Sequence, residues 1–133
     1  MNTELTALIA TADSALARLE TSTLANLHFR PVVVATDNQV LEKIQFDRPD
    51  ILLLDYSLPT AGGVEVCRQL RQIPDAIDIP IIMLTAADGG NEKIESLDAG
   101  ADCCISKPLQ GGVLAAYVRA LRRRASGASV GEC

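Results

Sequence analysis

The chain has 133 residues, 48% of them hydrophobic, 22% charged and 3% aromatic, with a formal net charge of −5. That length builds one domain with its own core, and the acidic balance repels phosphate backbones, which argues against direct nucleic-acid binding. No apolar run approaches the ~18 residues of a membrane span, and the opening MNTELTALIA lacks the basic start of a secretory signal, so a cytoplasmic protein with no membrane contact is expected.

Along the chain, short apolar runs alternate with segments of helical period. Leu5–Ala10 (LTALIA) reads as a first strand. Ser14–Leu27 follows as a helix with Leu16, Leu19, Thr23, Leu24 and Leu27 on one stripe. Pro31–Ala35 (PVVVA) is a β-branched second strand. Asp37 is placed to cap a helix whose apolar face is Val40, Leu41 and Ile44. Ile51–Leu54 (ILLL) is a third strand ending at Asp55, and Gly62–Gly63 opens a helix with Val64, Val66, Cys67 and Leu70 inward. Ile79–Leu84 is a fourth strand ending at Thr85, and Asn91–Ala99 a short helix capped by Asn91 and stopped by Gly100. Cys103–Ile105 is a fifth strand, and Val113, Leu114, Tyr117, Val118 and Leu121 mark the inner face of a last helix. The small, polar stretch Ala125–Cys133 (ASGASVGEC) is expected to be a mobile tail or linker remnant beyond a domain of residues 1–124.

Repeated strand–helix alternation predicts an α/β fold, a parallel sheet with helices on both faces. The third and fourth strands are near-continuous hydrophobics, as strands covered on both faces must be. Of the four cysteines, Cys67, Cys103, Cys104 and Cys133, none forms a C-x-x-C pair, and the single His28 is far from them in sequence. Metal-ligand spacing is absent, and buried, free thiols are expected. Adjacent strand residues point oppositely, so Cys103 and Cys104 should face different surroundings.

In an open parallel sheet, ligands bind beyond the carboxyl ends of the strands. The polar residues there are Thr11 and Asp13 after the first strand, Asp55 after the third, Thr85 after the fourth and Lys107 after the fifth. A carboxylate, a hydroxyl and an ammonium converging on one crevice suit phosphoryl transfer. The carboxylate attacks phosphorus, and the other two hold the oxygens that carry charge in the transition state. Each residue alone also reads as an ordinary strand end. No phosphate-cradling glycine motif and no G-x-S-x-G elbow occurs, and His28 falls in a loop.

These residues carry a resemblance. DRPDILLLDYSLPTAGGVEVCRQLR resembles the third strand and following loop of bacterial two-component response-regulator receiver domains, of the chemotaxis-regulator kind. IPIIMLTA and GADCCISKPL are similar to that family's fourth- and fifth-strand motifs, and the separations Asp55 to Thr85 and Asp55 to Lys107 match its spacing. The resemblance covers Leu5 to Arg124. It implies a flavodoxin-like (βα)5 doubly wound sandwich with a five-stranded parallel sheet of order 2-1-3-4-5. It also implies Asp55 as phospho-acceptor, Thr85 as switch hydroxyl and Lys107 as phosphate-binding lysine. Asp55 and the backbone carbonyl of Ser57 would hold Mg²⁺, and the Lys107–Pro108 peptide would be cis.

Two departures accompany the likeness. Receivers usually follow the first strand with two adjacent acidic residues that hold Mg²⁺. The register that keeps the helical stripe puts Thr11 and Ala12 there, leaving Asp13 beside the pair. Other registers bring Asp13 to the second acidic position at the expense of the stripe. Mg²⁺ needs oxygen ligands, so the loss should weaken the metal and slow phosphorylation. Cys104 stands where the family usually carries a switch aromatic, and a small thiol cannot swing as a ring does.

The last helix ends RALRRR, with Arg119, Arg122, Arg123 and Arg124. One reading is favourable basic residues at a helix C-terminus. The other is a homodimer face pairing with acids such as Asp98 and Asp102, as in receivers joined to winged-helix domains.

The expected function is phosphorelay signalling. Asp55 accepts a phosphoryl group from a sensor histidine kinase or phosphotransfer protein. The face of fourth helix, fifth strand and last helix then switches between two states. The chain would be no enzyme beyond that self-modification. The alternative is a phosphorylation-independent pseudo-receiver that binds a partner or a second copy. A stand-alone phosphatase is disfavoured, because haloacid-dehalogenase-type hydrolases want a second Asp where this chain has Ser57.

Overall fold

The five apolar runs form five parallel strands in the computed structural model, which describes residues 4–125. The strands are β1 (Leu5–Ala10), β2 (Phe29–Val34), β3 (Ile51–Asp55), β4 (Ile81–Thr85) and β5 (Cys103–Ser106), in the order β2-β1-β3-β4-β5. Between and after them run α1 (Ser14–Asn26), α2 (Asp37–Phe46), α3 (Gly63–Leu70), α4 (Gly90–Ala99) and α5 (Gly111–Ala125). This is the expected flavodoxin-like doubly wound sheet.

Alternation along each strand divides the core into two layers. On one face Leu8, Leu52, Leu54, Ile81 and Met83 pack with Val40 and Ile44 of α2, Val66, Cys67 and Leu70 of α3, and Ala99 of α4. On the other, Ile9, Ile51, Leu53, Ile82 and Leu84 pack with Leu16 and Leu24 of α1 and Leu114, Val118 and Leu121 of α5. Every residue of β3 and β4 is buried, so their continuous hydrophobicity follows from their central place in the sheet. Cys104 lies in the first layer and Cys103 in the second, as alternation requires. Cys67, Cys103 and Cys104 are buried, and burial pushes the Cys67 thiol up to about 11.

Several boundaries differ from the sequence expectation, each for a local reason. β2 begins at Phe29, because Phe29 and Arg30 pair with Leu5 and Thr6 ahead of Pro31. The cap of α2 is Thr36: its hydroxyl accepts from the Gln39 N–H and Gln39 returns the bond, a reciprocal box that leaves Asp37 inside the helix. Gly89 precedes α4 with no side-chain cap, so Asn91 lies within the first turn. Residues 74–76 form a 3-10 turn, which delays β4 to Ile81. Gly111 and Gly112 belong to the start of α5. The proposed tail from residue 126 onward, with Cys133, lies outside the described residues. Among the described residues no helix is long and apolar enough to cross a membrane.

Candidate functional site

Parallel pairing brings the carboxyl ends of β1, β3, β4 and β5 together at one edge of the sheet, and the sequence places a polar residue at each. Asp55 ends β3 opposite Leu84 of β4, one residue short of Thr85. The Lys107 N–H donates to the Thr85 carbonyl at 2.8 Å, which fixes the segment after β5 against β4. The Lys107–Pro108 peptide is cis. Gly63 opens α3 so close beneath the acceptor loop that a Cβ would lie 2.5 Å from the Asp55 carbonyl oxygen. Only glycine lets the helix start there.

The Asp55 side chain is buried and fully engaged. Its Oδ1 accepts from Lys107 Nζ at 2.9 Å and from the Ser57 N–H at 3.0 Å, and its Oδ2 accepts from the Thr11 hydroxyl at 2.8 Å. The Thr85 hydroxyl is buried and has no hydrogen-bond partner. An orphan hydroxyl costs on the order of 1–3 kcal/mol unless something fills it. Asp55, Thr85, Lys107 and Thr11 are thus brought to one place.

Asp13 also has a structural role. It is the N-cap of α1, exposed to solvent, and its Oδ1 accepts from the Ala15 and Leu16 N–H groups at 3.0 and 3.1 Å. Thr11 Oγ1 also accepts from the Asp13 N–H at 3.1 Å, so the threonine ties Asp55 to the start of α1. The Mg²⁺ that the resemblance implies wants several free oxygen ligands. Here Ala12 has none to offer, Asp13 gives one of its two carboxylate oxygens to helix amides, and both oxygens of Asp55 already accept bonds. Among the described residues no group of three or more His, Cys, Asp or Glu could hold a metal. The donor set does not fit a tightly held Mg²⁺.

Glu20, Tyr56 and Glu92 escaped the sequence reading. Glu20, on the inner face of α1, is 1% exposed, and its Oε1 has no partner. Burial first, and the Asp55 carboxylate next, push its carboxyl up to about 8. The signal was present, since Leu16, Glu20 and Leu24 are spaced four apart. Tyr56, next to the acceptor, donates its hydroxyl to Glu95 of α4 at 2.6 Å, and Glu92 of α4 accepts from the Ala86 N–H at 2.8 Å. Cys104, at the position expected to carry a switch aromatic, donates its thiol to the Lys93 carbonyl at 3.8 Å. Asp102, considered above as an arginine partner across a dimer, holds Arg71 and the Ile81 N–H of its own chain. Arg122 stacks over the Phe29 ring at 5.8 Å from its centroid.

The family model of the response regulator receiver domain matches residues 7–119. Response regulator MprA of Mycobacterium leprae (strain TN) is 48% identical over 94 residues, covering 70% of this chain and 40% of that protein. MprA of Mycobacterium tuberculosis (strain CDC 1551 / Oshkosh) is 49% identical over 86 residues, covering 65% and 36%. The matches therefore span less than half the length of these relatives. Among solved structures, the signal receiver domain of a signal transduction histidine kinase from Syntrophus aciditrophicus superposes with a TM-score of 0.81 at 29% identity, covering 95% of this chain and 93% of that one. The receiver domain of Francisella response regulator 1452 gives 0.82 at 26%, covering 91% and 98%.

Proposed function

This chain belongs to the response regulator receiver domain family of two-component signalling, and we propose that Asp55 is its phospho-acceptor, with Lys107 and Thr85 completing the site. The observation that carries the reading is the buried Thr85 hydroxyl without a partner, one residue beyond the strand position that faces Asp55. A phosphoryl oxygen on Asp55 would supply the acceptor that this hydroxyl lacks.

The donor is a phosphohistidine of a sensor kinase or phosphotransfer protein. An Asp55 oxygen forms the new O–P bond as the P–N bond breaks, and the imidazole leaves with the electron pair. Lys107 balances charge on the equatorial oxygens, and Thr85 donates to one of them. Before attack, Asp55 must exchange at least one of its present donors for phosphorus. Oδ2, held only by the neutral Thr11 hydroxyl, is freed at lower cost than Oδ1, which is held by an ammonium and an amide. No further catalytic activity is assigned to the domain.

Receivers as a family bind Mg²⁺ at an acidic site, where the ion neutralises charge between carboxylate and phosphate. The likeness would give that role to Asp13, Asp55 and the Ser57 carbonyl, but with Thr11 and Ala12 in place of the acidic pair they offer no tight site. We assign residues 1–124 to the receiver and the remainder to a linker or tail, in a cytoplasmic setting. Homodimerisation through α5 stays a secondary proposal, because Asp102 is already committed to Arg71.

Intact mass after incubation with acetyl phosphate, with and without Mg²⁺, tests the assignment on wild type and Asp55→Asn. One added phosphoryl group in the wild type, absent from Asp55→Asn, is expected. Equal labelling of both overturns Asp55 as acceptor. No labelling of either, from acetyl phosphate or from a kinase, leaves the phosphorylation-independent interaction module as the function.

A further inference from the structure

The peptide that leaves β4 turns its two polar groups to opposite sides. The Thr85 carbonyl accepts from the Lys107 N–H after β5, while the Leu84 carbonyl before it accepts from the Tyr56 N–H after β3. In a trans peptide the N–H points opposite to the carbonyl it shares a plane with. The Ala86 N–H is therefore turned away from β5, toward the β3 side where Asp55 ends its strand. It is the next donor along the chain from the unpartnered Thr85 hydroxyl. Unlike that hydroxyl it is occupied, because Glu92 Oε1 accepts from it at 2.8 Å. A glutamate at the third position of a helix ordinarily reaches back to the N–H of the cap. Here the N–H of the cap, Gly89, is taken by the Ala86 carbonyl, and Glu92 reaches past it to a residue outside α4. Gly89 leaves room for the carboxylate, since a Cβ there would lie 3.0 Å from the same Oε1.

We propose that the Glu92 carboxylate is a built-in competitor of the phosphoryl group, seated on the Ala86 amide until phosphorylation of Asp55 displaces it. The inference rests on the reading of Asp55 as acceptor. A phosphoryl group there brings several strong acceptor oxygens and a negative charge. The donors facing it from the end of β4 are the Thr85 hydroxyl, which has no partner, and the Ala86 N–H, which an anion already holds. One N–H cannot serve two anions at full strength, and their like charges oppose each other. Phosphoryl and Glu92 are thus alternative ligands of one amide, and each weakens the hold of the other. The exchange reaches the fold through α4. Glu95, one turn on from Glu92, accepts from the Tyr56 hydroxyl at 2.6 Å. The helix is therefore moored to the residue after Asp55 and to the residue after Thr85, and the phosphoryl group releases the second mooring.

Two measurements test this, the second independent of phosphotransfer. Labelling by acetyl phosphate, followed by intact mass, should run about tenfold faster in Glu92→Ala than in the wild type, the weight of one hydrogen bond to a charged group. A carboxylate that only caps the helix predicts an equal or slower rate, and either result overturns the proposal. Glu92→Gln keeps the oxygen and loses the charge. It should show a smaller gain in the same direction, and it takes the place of Glu92→Ala if that variant fails to fold. Absent labelling throughout means that the acceptor reading has failed, and the second measurement then decides alone. Inorganic phosphate is titrated against the wild type and the variant, with the Ala86 amide resonance followed by NMR. A dissociation constant at least about threefold lower in the variant, with the Ala86 amide responding, upholds the competition. Equal affinities, or no binding to either protein, overturn it.

Discussion

A long cation lies at each end of the sheet, Arg71 at one and Lys107 at the other, and the two are used in opposite ways. At the amino ends of β4 and β5, Arg71 spends its guanidinium on carbonyls. Nε and Nη2 donate to Gly100 at 2.9 and 2.7 Å, and Nη1 donates to Ala76, Ile77 and Ile79. Nη2 also reaches Asp102, whose same oxygen accepts from the Ile81 N–H at 2.7 Å. At the carboxyl ends, Lys107 makes one ion pair, and Thr85 Oγ1 has no partner. One end is saturated and locks α3, the 3-10 turn, α4 and β5 together. The other is incomplete, which a folded chain tolerates where something else is to bind. Arginine suits the first end because its planar fork serves several acceptors at once, and lysine the second because a point charge re-aims easily.

Breaking the saturated end should cost most. Arg71→Ala strands several carbonyls and the Asp102 carboxylate, with an expected loss of about 3 kcal/mol in denaturant unfolding. Arg71→Lys should rescue only part of it. A loss under about 0.5 kcal/mol would show that water replaces the fork.

Glu20 gives the next largest effect, and it depends on pH. Its carboxyl titrates at about 8 in the fold against 4.5 in the open chain. Between those values the folded protein holds more protons than the unfolded one, so stability falls as pH rises. Measured against Glu20→Gln, the wild type should lose on the order of 2 kcal/mol between about pH 5 and about pH 8, then level off. Parallel stability curves would show that Glu20 titrates alike in the folded and open chain.

Two threonines sharpen the contrast within the site itself. Thr11→Val removes a donor from a buried carboxylate and should cost about 1–2 kcal/mol in unfolding free energy. Thr85→Val removes an orphan hydroxyl, so its stability should be unchanged or higher by up to about 1 kcal/mol. The reverse order would mean that Thr85 is the bonded residue in solution.

The smallest structural change concerns the metal. Thr11→Asp with Ala12→Asp should tighten Mg²⁺ binding at least about tenfold by titration, as carboxylate oxygens replace a hydroxyl and a methyl. No gain would place the acidic pair in another register.

Much of this is legible in the sequence. The apolar runs of β3 and β4, the left-handed Gly100 that ends α4 at φ 116 and the inner face of α5 all follow from periodicity and residue chemistry. So does the convergence of Asp55, Thr85 and Lys107, because parallel strands deliver their carboxyl ends to one edge. The caps were less legible: Thr36 and Asp37 are both good caps, and only the returning Gln39 bond chooses between them. Asp13 reads as a metal ligand from the sequence, and a carboxylate near a strand end also serves as a cap. The geometry of α1 adds that second role, with Oδ1 accepting from two amides.

The sequence by itself determined the alternation, the sheet it builds and the residues at its carboxyl edge, since these rest on local period and chain order. Only the tertiary structure decided the fate of individual polar atoms. It decided that Thr11 bonds Asp55 across 44 positions, that Arg71 closes the far end, and that Glu20 is buried with its Oε1 unbonded. Hydrogen bonding is a matter of ångströms and angles between distant segments, which no spacing along the chain encodes.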